Sequence, residues 1–217
     1  MKKKFAVILA GCGKNDGSEI HESVLTLLSI VQVGASYQCY SLNKDQHRVF
    51  NHLTNLEEKN QKRNMLVESA RIARGDIKEI SELKVKDYDV LVIPGGNGVA
   101  YNFFNLGYNQ NHLIVDESIS NICKDFTAAK KPVGFICIAP AMIPLIYGDS
   151  VEFTIGSDAD LIKTLNYIGA NHKIAKVTDV VVDINKKIFS TPAYMLAKDI
   201  NEVFLSIKNL INRLLVE

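Results

Sequence analysis

The chain of 217 residues is long enough for one α/β domain with a sizeable core and too short for two full-sized ones, so a single domain over residues 1–217 is expected. With 47% hydrophobic and 23% charged residues the composition is that of an ordinary globular protein and excludes a disordered chain. Lys and Arg number 25 against 24 Asp and Glu, and no like-charge block exceeds Lys2-Lys3-Lys4, which leaves no electrostatic footprint for nucleic acid.

Phe5 to Ala10 is a continuous apolar run ending in Gly11-Cys12-Gly13, the pattern of a strand buried on both faces that then turns. Preceded by three lysines, it also imitates a lipoprotein signal. The run is shorter than the about 7 to 15 residues such a signal needs, so no lipidation is expected. Ile20, Val24, Leu27, Leu28 and Val31 then recur at helical spacing until Gly34, and a strand is expected at 36–42. Residues 43–62 are a polar excursion before a helix over 63–74, closed by Gly75. Tyr88 to Ile93 reads as a second buried strand running into Pro94-Gly95-Gly96-Asn97-Gly98, with helical patterns at 99–104 and 114–129.

Pro132 to Cys137 is a third such strand, and Ile138 opens a helix that tolerates Pro140 in its first turn and is kinked or shortened by Pro144. A strand at 151–155, a helix at 158–168, and strands near 179–183 and 187–190 follow. The last helix has Leu196, Ile200, Val203, Phe204, Ile207, Leu210, Ile211 and Leu214 along one face. Strands alternating with helices predict a doubly wound, mainly parallel sheet covered on both faces.

In such a sheet ligands bind beyond the carboxyl ends of the strands. Cys137 stands there, between a strand and a helix, where a nucleophile is held above the sheet and a helix N-terminus favours the thiolate. The alternative is a buried cysteine that only packs. Cys39, on a strand, and Cys123, on a helix, read as structural, whereas Cys12 lies in a loop expected near Cys137. Gly96 and Ile138 can supply backbone N–H groups to an oxyanion above Cys137, although a tight turn would need the glycines equally. After Gly11-x-Gly13 the third glycine of a dinucleotide site is misplaced and its acid does not follow at the expected spacing, so no NAD is expected. The five histidines show no metal-ligand spacing, so no metal and no other cofactor is expected.

Gly11-Cys12-Gly13, Asp16-Gly17-Ser18-Glu19-Ile20-His21-Glu22, Asn51-His52-Leu53-Thr54, Pro94-Gly95-Gly96, the run from Gly134 to Met142 and that from Thr191 to Leu196 together resemble the ElbB family. This family of isoprenoid or enhancing-lycopene-biosynthesis proteins falls within the PfpI/class I glutamine amidotransferase-like superfamily. The resemblance spans nearly the whole chain. It implies a flavodoxin-like sandwich, Cys137 on a nucleophile elbow, and Glu22 from the first helix touching it. The helical wheel alone argues otherwise, because Glu22 lies opposite the stripe of Ile20, Val24, Leu27 and Val31 and would read as a solvated acid. Glu19 is the substitute, and Glu19, Cys12 and Asn97 are accessory candidates.

The sequence departs from many relatives at Phe153 to Asp158, where a histidine is absent, and His172 more naturally begins a strand. Loss of an imidazole base argues against protease or amidotransferase chemistry. The resemblance suggests a cofactor-independent glyoxalase of the third type. Cys137 would add to a small 2-oxoaldehyde and Glu22 would carry the proton between carbons. A cysteine-based redox or metabolite sensor, or an accessory protein in isoprenoid metabolism, is the alternative. No nucleic acid or membrane partner is expected, a cytoplasmic location is, and the superfamily's habits suggest a homodimer.

Overall fold

The computed structural model describes residues 2–109 and 112–216. In chain order the regular elements are β1 (Lys4–Ile8), α1 (Ile20–Gln32), β2 (Ser36–Ser41), β3 (Phe50–Asn51), β4 (Leu56–Glu57), α2 (Met65–Ile72) and β5 (Ile77–Glu79). They continue as β6 (Val90–Ile93), α3 (Glu117–Ala128), β7 (Val133–Ile136), α4 (Ile143–Tyr147), β8 (Glu152–Phe153) and α5 (Ala159–Tyr167). The last are β9 (Asn171–His172), β10 (Val181–Asp183), β11 (Ile188–Thr191) and α6 (Ile200–Val216). Seven strands form the main sheet in the order β10-β11-β7-β6-β1-β2-β5. All neighbours are parallel except β10 on β11. This is the flavodoxin-like, doubly wound architecture expected.

The apolar runs form the centre of the sheet because only there are both faces covered. Phe5 to Ala10 and Val90 to Ile93 are wholly excluded from solvent. Alternation along β7 identifies the two covering layers. A Cβ on Gly134 would stand 2.8 Å from Leu214 of α6, while Phe135, facing the other way, meets the Tyr147 ring of α4 edge-on at 6.5 Å. On α6, Val203, Ile207, Leu210, Ile211 and Leu214 are buried as their spacing predicts, whereas Ile200 is half exposed and Leu196 precedes the helix.

The first helix is reversed relative to its apolar stripe. Ile20, Val24, Leu28 and Val31 are 44–55% exposed, while Glu22, Ser23, Thr26 and Ser29 face inward with Leu27 and Ile30. The buried hydroxyls make this possible. Thr26 Oγ1 donates to Glu22 O and Ser23 Oγ to Glu19 O, so two of the three inward hydroxyls are satisfied within the helix, while Ser29 Oγ is buried without a hydrogen-bond partner. The outward stripe lines an open groove with Cys12, Tyr37, Arg71 and Arg74.

Other differences are local. Residues 99–104, expected as a helix, form a five-residue π-helical turn at Val99–Phe103. The segment after Ile138 is a 3-10 turn at Ala139–Met142 followed by the short α4 with Pro144 at its start. Edge strand β5 is too short and polar to show as a sequence period. The strand expected at 151–155 shortens to β8, which pairs with β9 outside the main sheet, so His172 ends a strand rather than beginning one. The excursion at 43–62 carries the β3-β4 hairpin and is tied to the loop after β1: Asp16 Oδ2 accepts from Phe50 N at 2.7 Å, and Gln46 Nε2 donates to Asp16 O at 2.8 Å.

Candidate active site

β7 stops at Ile136, and the next residue, Cys137, adopts φ +62°, a left-handed conformation that costs a side-chain-bearing residue energy. Surrounding contacts hold it there. Cys137 N donates to Thr191 O at the end of β11 at 2.9 Å. The sharp turn lifts the side chain off the sheet and against Gly95 at the end of β6. A Cβ on Gly95 would lie 2.5 Å from Cys137 Cβ and 2.7 Å from Glu22 Oε2, so this position must be bare.

Glu22 reaches the same point from α1. Its carboxyl is fully buried and held on both oxygens: Gly95 N donates to Oε2 at 3.0 Å and Tyr194 N to Oε1 at 3.1 Å. Its Oε2 and the Cys137 side chain meet over Gly95, and the backbone N–H groups of Gly96 and Ile138 favour negative charge on the Cys137 sulfur. The residue that the helical wheel would assign to solvent is therefore inside because α1 turns its polar face to the sheet.

Burial dominates the electrostatics. It pushes the Glu22 carboxyl up to about 8, against the two amides that favour the anion, with Glu19 adding to the rise. The Cys137 thiol lies well above its usual range, first because it is buried and then because Glu22 faces it. The thiolate expected from a helix dipole is thus not the resting form. Only a 3-10 turn follows Cys137, and two amides do not offset desolvation and a neighbouring acid. At neutral pH the pair carries both protons.

The remaining candidates divide. Glu19 caps α1, its Oε2 accepting from Glu22 N at 2.8 Å, and its backbone N donates to Gly95 O, so it joins the helix to the glycine turn. Asn97 is exposed and its backbone N donates to Lys14 O. Cys12 opens into the outer groove of α1 and α2, where burial and Glu68 raise its thiol pKa. Cys39 and Cys123 are buried, each thiol pushed up to about 12. His172 Nε2 accepts from Ile155 N at 3.2 Å, and its ring packs edge-on to Phe153. Among the described residues no cluster of three His, Cys, Asp or Glu is placed to hold a metal.

Sequence reasoning missed Tyr194 and His21. Tyr194 supplies an amide to Glu22, and its phenol lies 2.7 Å from His21 Nδ1. The usable signal was position: Thr191-Pro192-Ala193-Tyr194 leaves the carboxyl end of a strand, where sites form in this architecture.

A strand-to-helix cysteine at positive φ with an acid reaching it from the first helix, on this sheet order, defines the class: an amidotransferase-like domain of the DJ-1/ThiJ/PfpI fold. Drosophila melanogaster DJ-1beta shares the fold at TM-score 0.57 and 16% identity, over 99% of this chain and 91% of that one. No family model matches the chain. A crystal structure of an isoprenoid biosynthesis protein with amidotransferase-like domain from Ehrlichia chaffeensis superposes at TM-score 0.91 with 38% identity, covering 99% of this chain and 98% of that one. The mitochondrial ES1 protein homolog of Rattus norvegicus is 30% identical over 223 residues, 99% of this chain and 84% of its own length. The mitochondrial glutamine amidotransferase-like class 1 domain-containing protein 3 of Homo sapiens is 32% identical over 201 residues, 88% of this chain and 75% of its own. The chain belongs to this family of ES1 and glutamine amidotransferase-like class 1 domain proteins. No helix among the described residues is long and apolar enough to cross a membrane.

Proposed function

We propose that the protein is an ElbB-type, cofactor-independent glyoxalase that converts glyoxal or another small 2-oxoaldehyde to the 2-hydroxy acid. The observation that carries this reading is the buried Cys137–Glu22 pair, with the amides of Gly96 and Ile138 on the sulfur. The reaction needs a nucleophile and a group that gives and takes one proton, and the only group it expels is the protein's own Cys137 sulfur. A carboxyl titrating at about 8 suits that shuttle near neutrality.

The Cys137 sulfur adds to the aldehyde carbon and the thiol proton ends on the new hydroxyl, forming a hemithioacetal. The Gly96 and Ile138 amides hold the oxygen while charge develops on it. In the fraction of sites where Glu22 has lost its proton to solvent, which grows as pH approaches 8, its carboxylate removes the hydrogen from the same carbon, and the electron pair moves to the neighbouring carbonyl oxygen to give an enediolate. Glu22 returns that proton to the second carbon while the proton of the first hydroxyl passes to the second oxygen, which leaves a hydroxyacyl thioester and an ionised Glu22. Water then cleaves the thioester, restoring the thiol and releasing glycolate from glyoxal or lactate from methylglyoxal.

Steady-state formation of glycolate from glyoxal tests this. Wild type should turn over while Cys137→Ala and Glu22→Gln do not. Wild-type rates no higher than those of the variants would sink the enzyme reading in favour of a cysteine-based sensor.

A further inference from the structure

After β11 the chain doubles back on the site through a forced turn. Thr191 Oγ1 lies 2.7 Å from Ser206 Oγ of α6, both residues fully buried, and Ser206 Oγ accepts from Ala193 N at 3.2 Å. Ala193 takes φ +42°, a strained value for a residue with a side chain. This turn aims Tyr194 N at Glu22 Oε1. Tyr194 is then held a second time, by its phenol, on His21, the residue that precedes Glu22 on α1. The result is a closed ring: α1 to Glu22, Glu22 to the Tyr194 amide, the Tyr194 phenol to His21, and back to α1.

Burial and the charges of Glu19, Glu22 and Asp199 keep the phenol protonated, so it can donate to His21 Nδ1 or, with the imidazole in its other tautomer, accept from it. The ionisable groups facing the Glu22 carboxyl are Glu19, Cys137 and the Tyr194 phenol, and none of them supplies positive charge. Its ionisation therefore leans on the amides of Gly95 and Tyr194. We infer that His21 and the Tyr194 phenol are a positioning pair that holds the Tyr194 amide on Glu22 and so fixes this carboxyl against the Cys137 sulfur. The inference rests on Cys137 and Glu22 being the reactive pair, and neither His21 nor the phenol touches the reacting atoms.

The test reads Cys137 directly: the rate of its alkylation by iodoacetamide against pH, followed by mass spectrometry of its peptide. It needs no turnover. His21→Ala and Tyr194→Phe should each move up, by about half a pH unit, the midpoint of the inflection that Glu22 ionisation, at about 8 in the wild type, imposes on this profile, the size of one ordinary hydrogen bond. The double variant should move it no further, because both changes break the same bond. His21→Asn, whose side-chain oxygen can stand near the Nδ1 position, should restore the wild-type midpoint. Unmoved midpoints in the single variants, or shifts that add in the double, would overturn the pairing. Shifts seen without glyoxal turnover would uphold it and reject only the glyoxalase reading.

Discussion

A buried acid kept neutral makes folding depend on pH in the direction opposite to most carboxylates. Glu22 titrates at about 8 when folded, against 4.5 for an exposed glutamate. Between those values the native chain holds a proton that the unfolded chain has lost, so stability falls as pH rises through this window. Above the folded value there is no further loss. At one proton and about 1.4 kcal/mol per pH unit, the full effect is of the order of 5 kcal/mol. Replacing Glu22 with Gln removes the titration and keeps the shape, but presents an NH2 group to one of two amides, Gly95 N or Tyr194 N. That mismatch costs roughly 1 to 3 kcal/mol at every pH. Wild type should therefore be the more stable protein at pH 5, and the variant should gain on it steadily up to pH 8.5. Urea denaturation of both proteins across this range is the assay. Taking the difference cancels the other groups that titrate there, including His47 and His172, whose pKa values burial lowers. A difference that is flat with pH, or one that moves toward wild type, would refute a neutral buried Glu22.

Gly95→Ala should damage the site without touching its chemistry, because the new methyl would overlap Cys137 Cβ, Glu22 Oε2 and Ile136 O. We expect about 1 to 3 kcal/mol lower stability by urea denaturation, and Cys137 alkylation that no longer follows the wild-type pH profile. On α1, Val24→Ala should change stability by less than about 1 kcal/mol, whereas Ile30→Ala should cost roughly 2 to 5 kcal/mol, since the first side chain is 47% exposed and the second fully buried. The reverse order in thermal or chemical denaturation would show that α1 is turned the other way.

The central strands were legible because Phe5 to Ala10, Val90 to Ile93 and Val133 to Ile136 are apolar without interruption, which only a doubly covered parallel sheet can absorb. Helix α6 was legible for the complementary reason, a single apolar face on an otherwise polar element. Cys137 could be singled out by its junction between strand and helix, and the glycines at 95 and 96 by their position after β6. Edge strand β5 and the pairing of β8 with β9 escaped, because two or three residues are too few to show a period.

Helix α1 marks the boundary between the two kinds of information. Its periodicity established that residues 20–32 are helical, since spacing alone sets which side chains share a face. Which face turned inward was decided by tertiary contacts: the Gly95 and Tyr194 amides accommodate Glu22, and the Ser23 and Thr26 hydroxyls bond back to the helix. A rule that buries the more apolar face fails where the sheet's own edge supplies donors for a buried acid. The strand-helix alternation and the place of the nucleophile were thus properties of the sequence. Protonation of the Cys137–Glu22 pair and its link to His21 through Tyr194 depend on desolvation and on donors from segments distant in the chain, which only the assembled fold brings together.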